Sequence, residues 1–149
     1  MPSTVDFPLA AKRHWRDAIL LEANGRMGNA GQLYGFSAEC GVKALLVALG
    51  YPIGPDGSPV KKPPAGTPKV REHIHQLVCI IGAINSEIAG RGGAKYTAMF
   101  PNITKFSNWS IDHRYLADAA IPNSLPAWKL AAEEVMRMLD TASLDGVLK

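Results

Sequence analysis

The run over residues 28–50, GNAGQLYGFSAECGVKALLVALG, restricts the fold more than any other stretch of the chain. It holds no proline, and its apolar residues recur at helical spacing. Leu33, Ala38, Leu45 and Ala48 lie on one side, and Val42, Leu46 and Leu49 on the next. A helix apolar over so much of its circumference must be wrapped by others, which points to an all-α bundle with this segment at its centre. Its first half is small-sided. Gly31, Gly35 and Gly41 each cost about 1 kcal/mol of helix propensity relative to alanine. That makes sense where another helix, from this chain or a second copy, approaches closely. Two charges interrupt the apolar surface, Glu39 and Lys43, spaced i,i+4 in the favourable order. Gly35, Glu39, Val42, Leu46 and Leu49 share a face, so the carboxylate needs a partner. Lys43 is one choice. Arg114, whose planar fork suits a carboxylate, is the partner expected here.

At 149 residues the chain reads as a single domain able to bury roughly two-thirds of its unfolded surface. Ser3 and Asp6 have capping-box spacing, Pro8 is tolerable in a first turn, and a helix is expected to continue to about Asn24. Phe7, Ala11, Trp15, Ala18 and Leu21 form its inner stripe, and Lys12, Arg13 and Arg16 a basic outer patch. The short break at Asn24-Gly25 makes this helix an antiparallel neighbour of the central one. Residues 51–69 form an exposed loop, with six prolines and with Gly54, Gly57 and Gly66. A third helix is expected over 70–89, where Val70, Ile74, Leu77, Ile81, Ile84 and Ile88 repeat at alternating steps of four and three. His73 and His75 stand two apart on different faces of it, which rules out a metal-binding pair on one face. Residues 90–124 are irregular, with a short helix near 109–115. Ser124 then caps a final helix over 125–144 that turns Trp128, Ala131, Val135, Met138 and Leu139 inward. The expected architecture is an up-and-down bundle of four long helices plus a short one.

Several chemistries are excluded. There is no phosphate-cradling glycine loop, no HExxH, no G-x-S-x-G elbow and no cysteine–histidine zinc cluster. Neither a metal nor a cofactor is expected. Cys40 and Cys79 lie in separate helices without CxxC spacing and read as buried, reduced thiols. No signal-peptide pattern leads the sequence and no apolar run reaches the roughly 20 residues of a membrane span, so a cytoplasmic location is expected. The net charge of +3 permits an anionic partner without demanding one. In the irregular segment Tyr96, Phe100, Phe106 and Trp109 alternate with Arg91, Lys95 and Lys105. Such a pattern can stack bases and hold phosphates, or it can simply pack a long loop onto the bundle.

Residues 32–46, QLYGFSAECGVKALL, resemble the second-helix signature of the HEPN domains. The stretch around Arg16-Asp17-Ala18 and Gly28-Asn29-Ala30 is similar too, as are His75-Gln76-Leu77 and the 109–115 element before the last helix. The resemblance implies a helical bundle that dimerises, with a site near the dimer interface. Its members include metal-independent ribonucleases of toxin–antitoxin and defence systems, many encoded beside a minimal nucleotidyltransferase, and non-catalytic RNA- or nucleotide-binding domains. The ribonucleases carry an arginine followed some residues later by a histidine. Here Ser107 stands in the arginine's place, ahead of Asn108 and His113. The expectation is therefore a homodimeric, HEPN-like protein that binds RNA or a nucleotide without the usual catalysis, in a toxin–antitoxin or defence pair. Glu39, Lys43, Trp109, Arg114 and Tyr115 are the expected binding residues. One alternative is a degenerate ribonuclease with His113 and Arg114 as its catalytic groups. Another is an interaction subunit for a nucleotidyltransferase-like partner.

Overall fold

The computed structural model describes residues 4–148. Its helices are α1 (Phe7–Ala23), α2 (Met27–Ala48), α3 (Ile74–Cys79), α4 (Ile81–Gly90), α5 (Ala94–Thr97) and α6 (Leu125–Leu144). Short 3-10 turns occupy Ile103–Asn108, Ile111–Tyr115 and Asp118–Ala120. The described residues form no strand, only an isolated bridge between Ile53 and Pro59. None of these helices is long and apolar enough to cross a membrane.

The Asp6 carboxylate begins α1 by accepting the Leu9 N–H at 3.0 Å. Ser3, the other half of the expected capping box, lies outside the described residues. Gly25, at φ +74°, ends the helix in a conformation that side chains other than glycine rarely adopt. The chain then doubles back. Trp15 packs on Tyr34 with ring centroids 5.4 Å apart, and His14 on Phe36 at 5.7 Å. The Tyr34 hydroxyl donates to Glu22 at 2.6 Å. Helix α6 runs with α2 and against α1, since Trp128 meets Gly31 and Val135 meets Gly41, while Lys129 and Lys12 reach Glu22 and Asp140.

The close approach expected at the small residues of α2 is real, but it comes from within the chain. A methyl group at Gly35 would overlap the Trp109 indole, one at Gly41 would overlap Val135, and one at Gly31 would lie 2.9 Å from Trp128. The stripe is filled by α6 and by Trp109, so it offers no surface to a second copy.

The expected third helix starts later and breaks. The Ile74 N–H donates to Glu39 of α2 at 3.0 Å, so a carboxylate from another helix satisfies the first turn and sets the start at Ile74 rather than Val70. The break falls at Ile80 (φ −119°, ψ 27°). Val78, Ile80 and Ile81 are β-branched and Gly82 follows, so local helix preference is weakest there. The apolar stripe survives the break: Val70, Ile74, Leu77, Ile84 and Ile88 are all buried. This segment also advances along α2 in the same direction. Ile74 sits at Glu39, and Arg91 donates to the Gly50 carbonyl at 2.9 Å. Four long helices in strict alternation are thus replaced by three long ones and a broken pair.

Tyr96, Phe100, Phe106 and Trp109 are buried and pin the irregular segment to the bundle, so their ring faces are not free to stack bases. The Trp109 indole N–H donates to the Gly31 carbonyl at 3.0 Å. Ser124 precedes α6 as expected, but its hydroxyl accepts from the Asn108 amide at 2.7 Å and does not cap the backbone. Cys40 is half-buried and Cys79 exposed, which corrects the expectation that both are buried.

We expect Gly35→Ala to destabilise the protein by about 1–3 kcal/mol, because the indole has to move. Gly82, with nothing near its missing Cβ, should accept alanine with no loss and a gain of up to about 1 kcal/mol. Urea unfolding of the two variants checks the contrast. Equal effects would reject it.

Candidate functional site

The expected polar site divides in two. Its first half lies midway along α2, where Glu39 and Lys43 are each 7% exposed. Lys43 donates to one Glu39 oxygen at 3.1 Å. The other oxygen accepts the Ile74 N–H and lies 3.1 Å from Nδ1 of His73. Since a carboxylate only accepts, that His73 nitrogen carries the proton. Both Glu39 oxygens are therefore spoken for by α2 and the start of α3. The arrangement ties the start of α3 to α2 and leaves no ligand position.

Arg114 takes no part in it. The predicted Glu39–Arg114 pair does not form: Arg114 is exposed and its guanidinium lies 4.7 Å from the centroid of the Tyr115 ring, itself 73% exposed. The reason is register. Gln32 donates to the Ser110 carbonyl at 2.8 Å, which ties the turn Ile111–Tyr115 to the first half of α2. Glu39 lies seven residues further on, roughly 10 Å along the helix, and Trp109 fills the space between. Glu39 and Lys43 thus stand apart from His113, Arg114 and Tyr115.

The second half is a cleft of about 270 Å³ at the start of α2, lined by Arg26, Asn29, His113, Arg114 and Asp118 among others. A helix start exposes N–H groups and partial positive charge. Most helices cover them with a serine, threonine, aspartate or asparagine side chain. Here the N-cap is Arg26, which cannot accept a hydrogen bond, and no side chain caps the turn. Neither Arg26 nor Arg114 makes an ion pair among the described residues. His113, on the same cleft, is only 8% exposed and stacks on Trp128 with centroids 6.0 Å apart. Its Nδ1 is buried with no hydrogen-bond partner among the described residues. Burial pushes the His113 imidazole below its usual range; Asp112 pulls the other way, and His75 adds a smaller downward push. The ring is therefore neutral near pH 7.

A larger cleft of about 650 Å³ adjoins the first and shares Gly25, Met27, Gly28, Asp118 and Ile121 with it. Sequence reasoning found His113 and Arg114 but missed Arg26, Asn29 and Asp118. One signal was available: a helix that restarts at 27 with arginine at its N-cap is short of acceptors. Chemically, free N–H groups, two unpaired guanidiniums and a titratable imidazole suit a phosphate. No group of three His, Cys, Asp or Glu side chains fit to hold a metal ion occurs among the described residues. In comparisons with protein families, curated proteins and solved structures, nothing matches the chain.

We expect Glu39→Leu to cost on the order of 3–5 kcal/mol, because it strands a buried Lys43 ammonium. Arg114→Gln should change stability by less than about 0.5 kcal/mol. Chemical denaturation distinguishes them. A loss of stability at Arg114 comparable to that at Glu39 would restore the rejected pair.

Proposed function

We propose that the protein binds a phosphate-bearing ligand of the nucleotide class, RNA or a free nucleotide, in the cleft at the start of α2. The observation that carries this reading is the buried, unpartnered His113 beside an uncapped helix start and two arginines without carboxylate partners. Two arginines that make no ion pair among the described residues, in a cleft whose one carboxylate is that of Asp118, are suited to an anion supplied from outside. The resemblance of residues 32–46 to HEPN domains supports the same ligand class. Membership of a toxin–antitoxin or defence pair, dimerisation and a nucleotidyltransferase-like partner rest on that resemblance alone.

A second reading is a divergent metal-independent ribonuclease, favoured by the placement of His113 and Arg114 on one cleft. A neutral imidazole can take the proton of a 2′-hydroxyl, and an arginine can hold the developing charge on the phosphate. Burial keeps His113 in the neutral form that this role requires.

The experiment is binding and cleavage of a short single-stranded RNA in the presence of a chelator. We expect binding that weakens as salt rises and that falls at least tenfold in the double variant Arg26→Gln/Arg114→Gln, with no cleavage. Cleavage lost in His113→Ala would replace the first reading with the second. No binding at all would reject both.

The pH dependence follows from His113. In the empty site its pKa is lowered, so the ring is neutral, whereas a bound phosphate favours the imidazolium. Binding then takes up a proton and strengthens as pH falls from 8 to 6. A phosphodiester ligand keeps its own charge constant over that range. His113→Gln should flatten the profile, and an unchanged slope would remove His113 from the site.

A further inference from the structure

The two adjoining clefts differ in character, and of the five residues that line both, one is charged. The first is cationic, lined by Arg26, His113 and Arg114. The second is the larger and is lined mainly by apolar side chains, among them Met27, Ile121, Pro122 and Leu125, with Asn123 and with Glu22, whose carboxylate is engaged by the Tyr34 hydroxyl and Lys129. Its volume of about 650 Å³ falls within the roughly 300–1,000 Å³ usual for small-molecule sites. Asp118 lines both. Its carboxylate lies beside Gly28 at the helix start, close to where a Cβ on that glycine would sit (3.6 Å), and makes no ion pair among the described residues.

A free carboxylate next to a phosphate site is a paradox if phosphate is the whole ligand, because like charges repel. It ceases to be one if the ligand places neutral hydroxyl donors between its phosphate and an apolar end. A ribonucleotide has that order: phosphate, vicinal ribose hydroxyls, base. Carboxylates accept from ribose hydroxyls in dinucleotide-binding folds for the same reason.

We propose that the double cleft takes one ribonucleotide unit, with its phosphate at Arg26, His113 and Arg114, its ribose hydroxyls on Asp118, and its base in the apolar cleft against Ile121 and Leu125. This rests on the phosphate reading of the first cleft and adds the parts of the ligand that phosphate alone does not explain. Trp128 lies beneath as a buried support at 2% exposure, and it does not stack on the base. The base is held by apolar contact and shape, and the Asn123 amide offers one donor and one acceptor to its edge.

Calorimetric titration of the full chain tests this with four ligands: inorganic phosphate, the ribonucleoside 5′-monophosphates, their 2′,3′-dideoxy analogues, and an RNA oligonucleotide carrying a terminal phosphate. At least one ribonucleotide should bind tenfold or more tightly than inorganic phosphate, and its dideoxy analogue should lose most of that gain. Asp118→Asn should shrink the difference between ribose and dideoxyribose. Leu125→Ala, in the second cleft only, should weaken the contribution of the base while phosphate binding persists. Asp118 is exposed and Leu125 half-buried, and circular dichroism of both variants confirms that they fold. If the ribonucleotides bind no more tightly than phosphate, while Arg26→Gln/Arg114→Gln abolishes phosphate binding, the ribonucleotide assignment is overturned and the phosphate reading stands. If none of the four ligands binds, both fall. Tighter binding of the phosphorylated RNA end than of the mononucleotide identifies RNA as the source of the unit; the reverse identifies a free nucleotide. Either result supports the assignment.

Discussion

The contact on which the arrangement of the candidate site depends is that between the Trp109 indole and α2. Gly35 leaves room for the ring, and the Gly31 carbonyl accepts its N–H at 3.0 Å. With the ring seated, Ser110 lies opposite Gln32 and the next turn carries His113 to the start of α2. Phe36 meets the same indole edge-on at 5.5 Å, and His73 and His75 approach at 6.4 and 6.0 Å. One aromatic side chain thus joins α2, α3 and the irregular segment. Glycine in a helix interior is unfavourable in isolation; here the loss is offset by burying one of the largest apolar surfaces in the chain.

Glu39 does for α3 what Trp109 does for the turns. A carboxylate inside a bundle would suffer severe desolvation on its own. Its three donors come from two helices, which makes it a junction where a single ion pair would only be a link. That is also why the carboxylate supplies no chemistry. A group whose acceptors are already engaged has little left to offer a ligand, whereas the buried His113 Nδ1 has no hydrogen-bond partner among the described residues. The environments of His73 and His113 differ in that respect.

What the sequence made legible was whatever repeats with a helical period. The inner faces of α1, α2 and α6 follow from such spacing, and so does the Val70-to-Ile88 stripe, even though the helix carrying it is broken. The break itself was not legible, because the stripe continues through Ile80 and only local stiffness at Val78–Ile81 resists it. The start of α3 was harder to see: Gln76 accepts the His73 N–H locally, but the carboxylate that takes the Ile74 N–H, Glu39, is 35 residues away. The site was half visible. His113 and Arg114 stood out by type, but the residues that line the cleft with them include Arg26 just before α2 and Asn29 in its first turn, which look like ordinary surface residues. Assigning Glu39 to Arg114 failed because charge complementarity selects a kind of partner and says nothing about register.

The second 3-10 turn and the stretch after it are held unevenly. His113 is buried, while every residue from Arg114 to Ala120 is exposed. Such a strand of chain has few apolar contacts to lose, so it can lift away at a small fraction of the free energy needed to unfold the bundle. In the first cleft one wall belongs to this strap and the other to the start of α2, while the second is also lined by Glu22 of α1 and by Leu125, Pro126 and Trp128 of α6. For the ligand proposed above, such lifting would open the first cleft without parting the helices, and substitutions along the exposed face of the strap would alter its residence time more than the stability of the bundle.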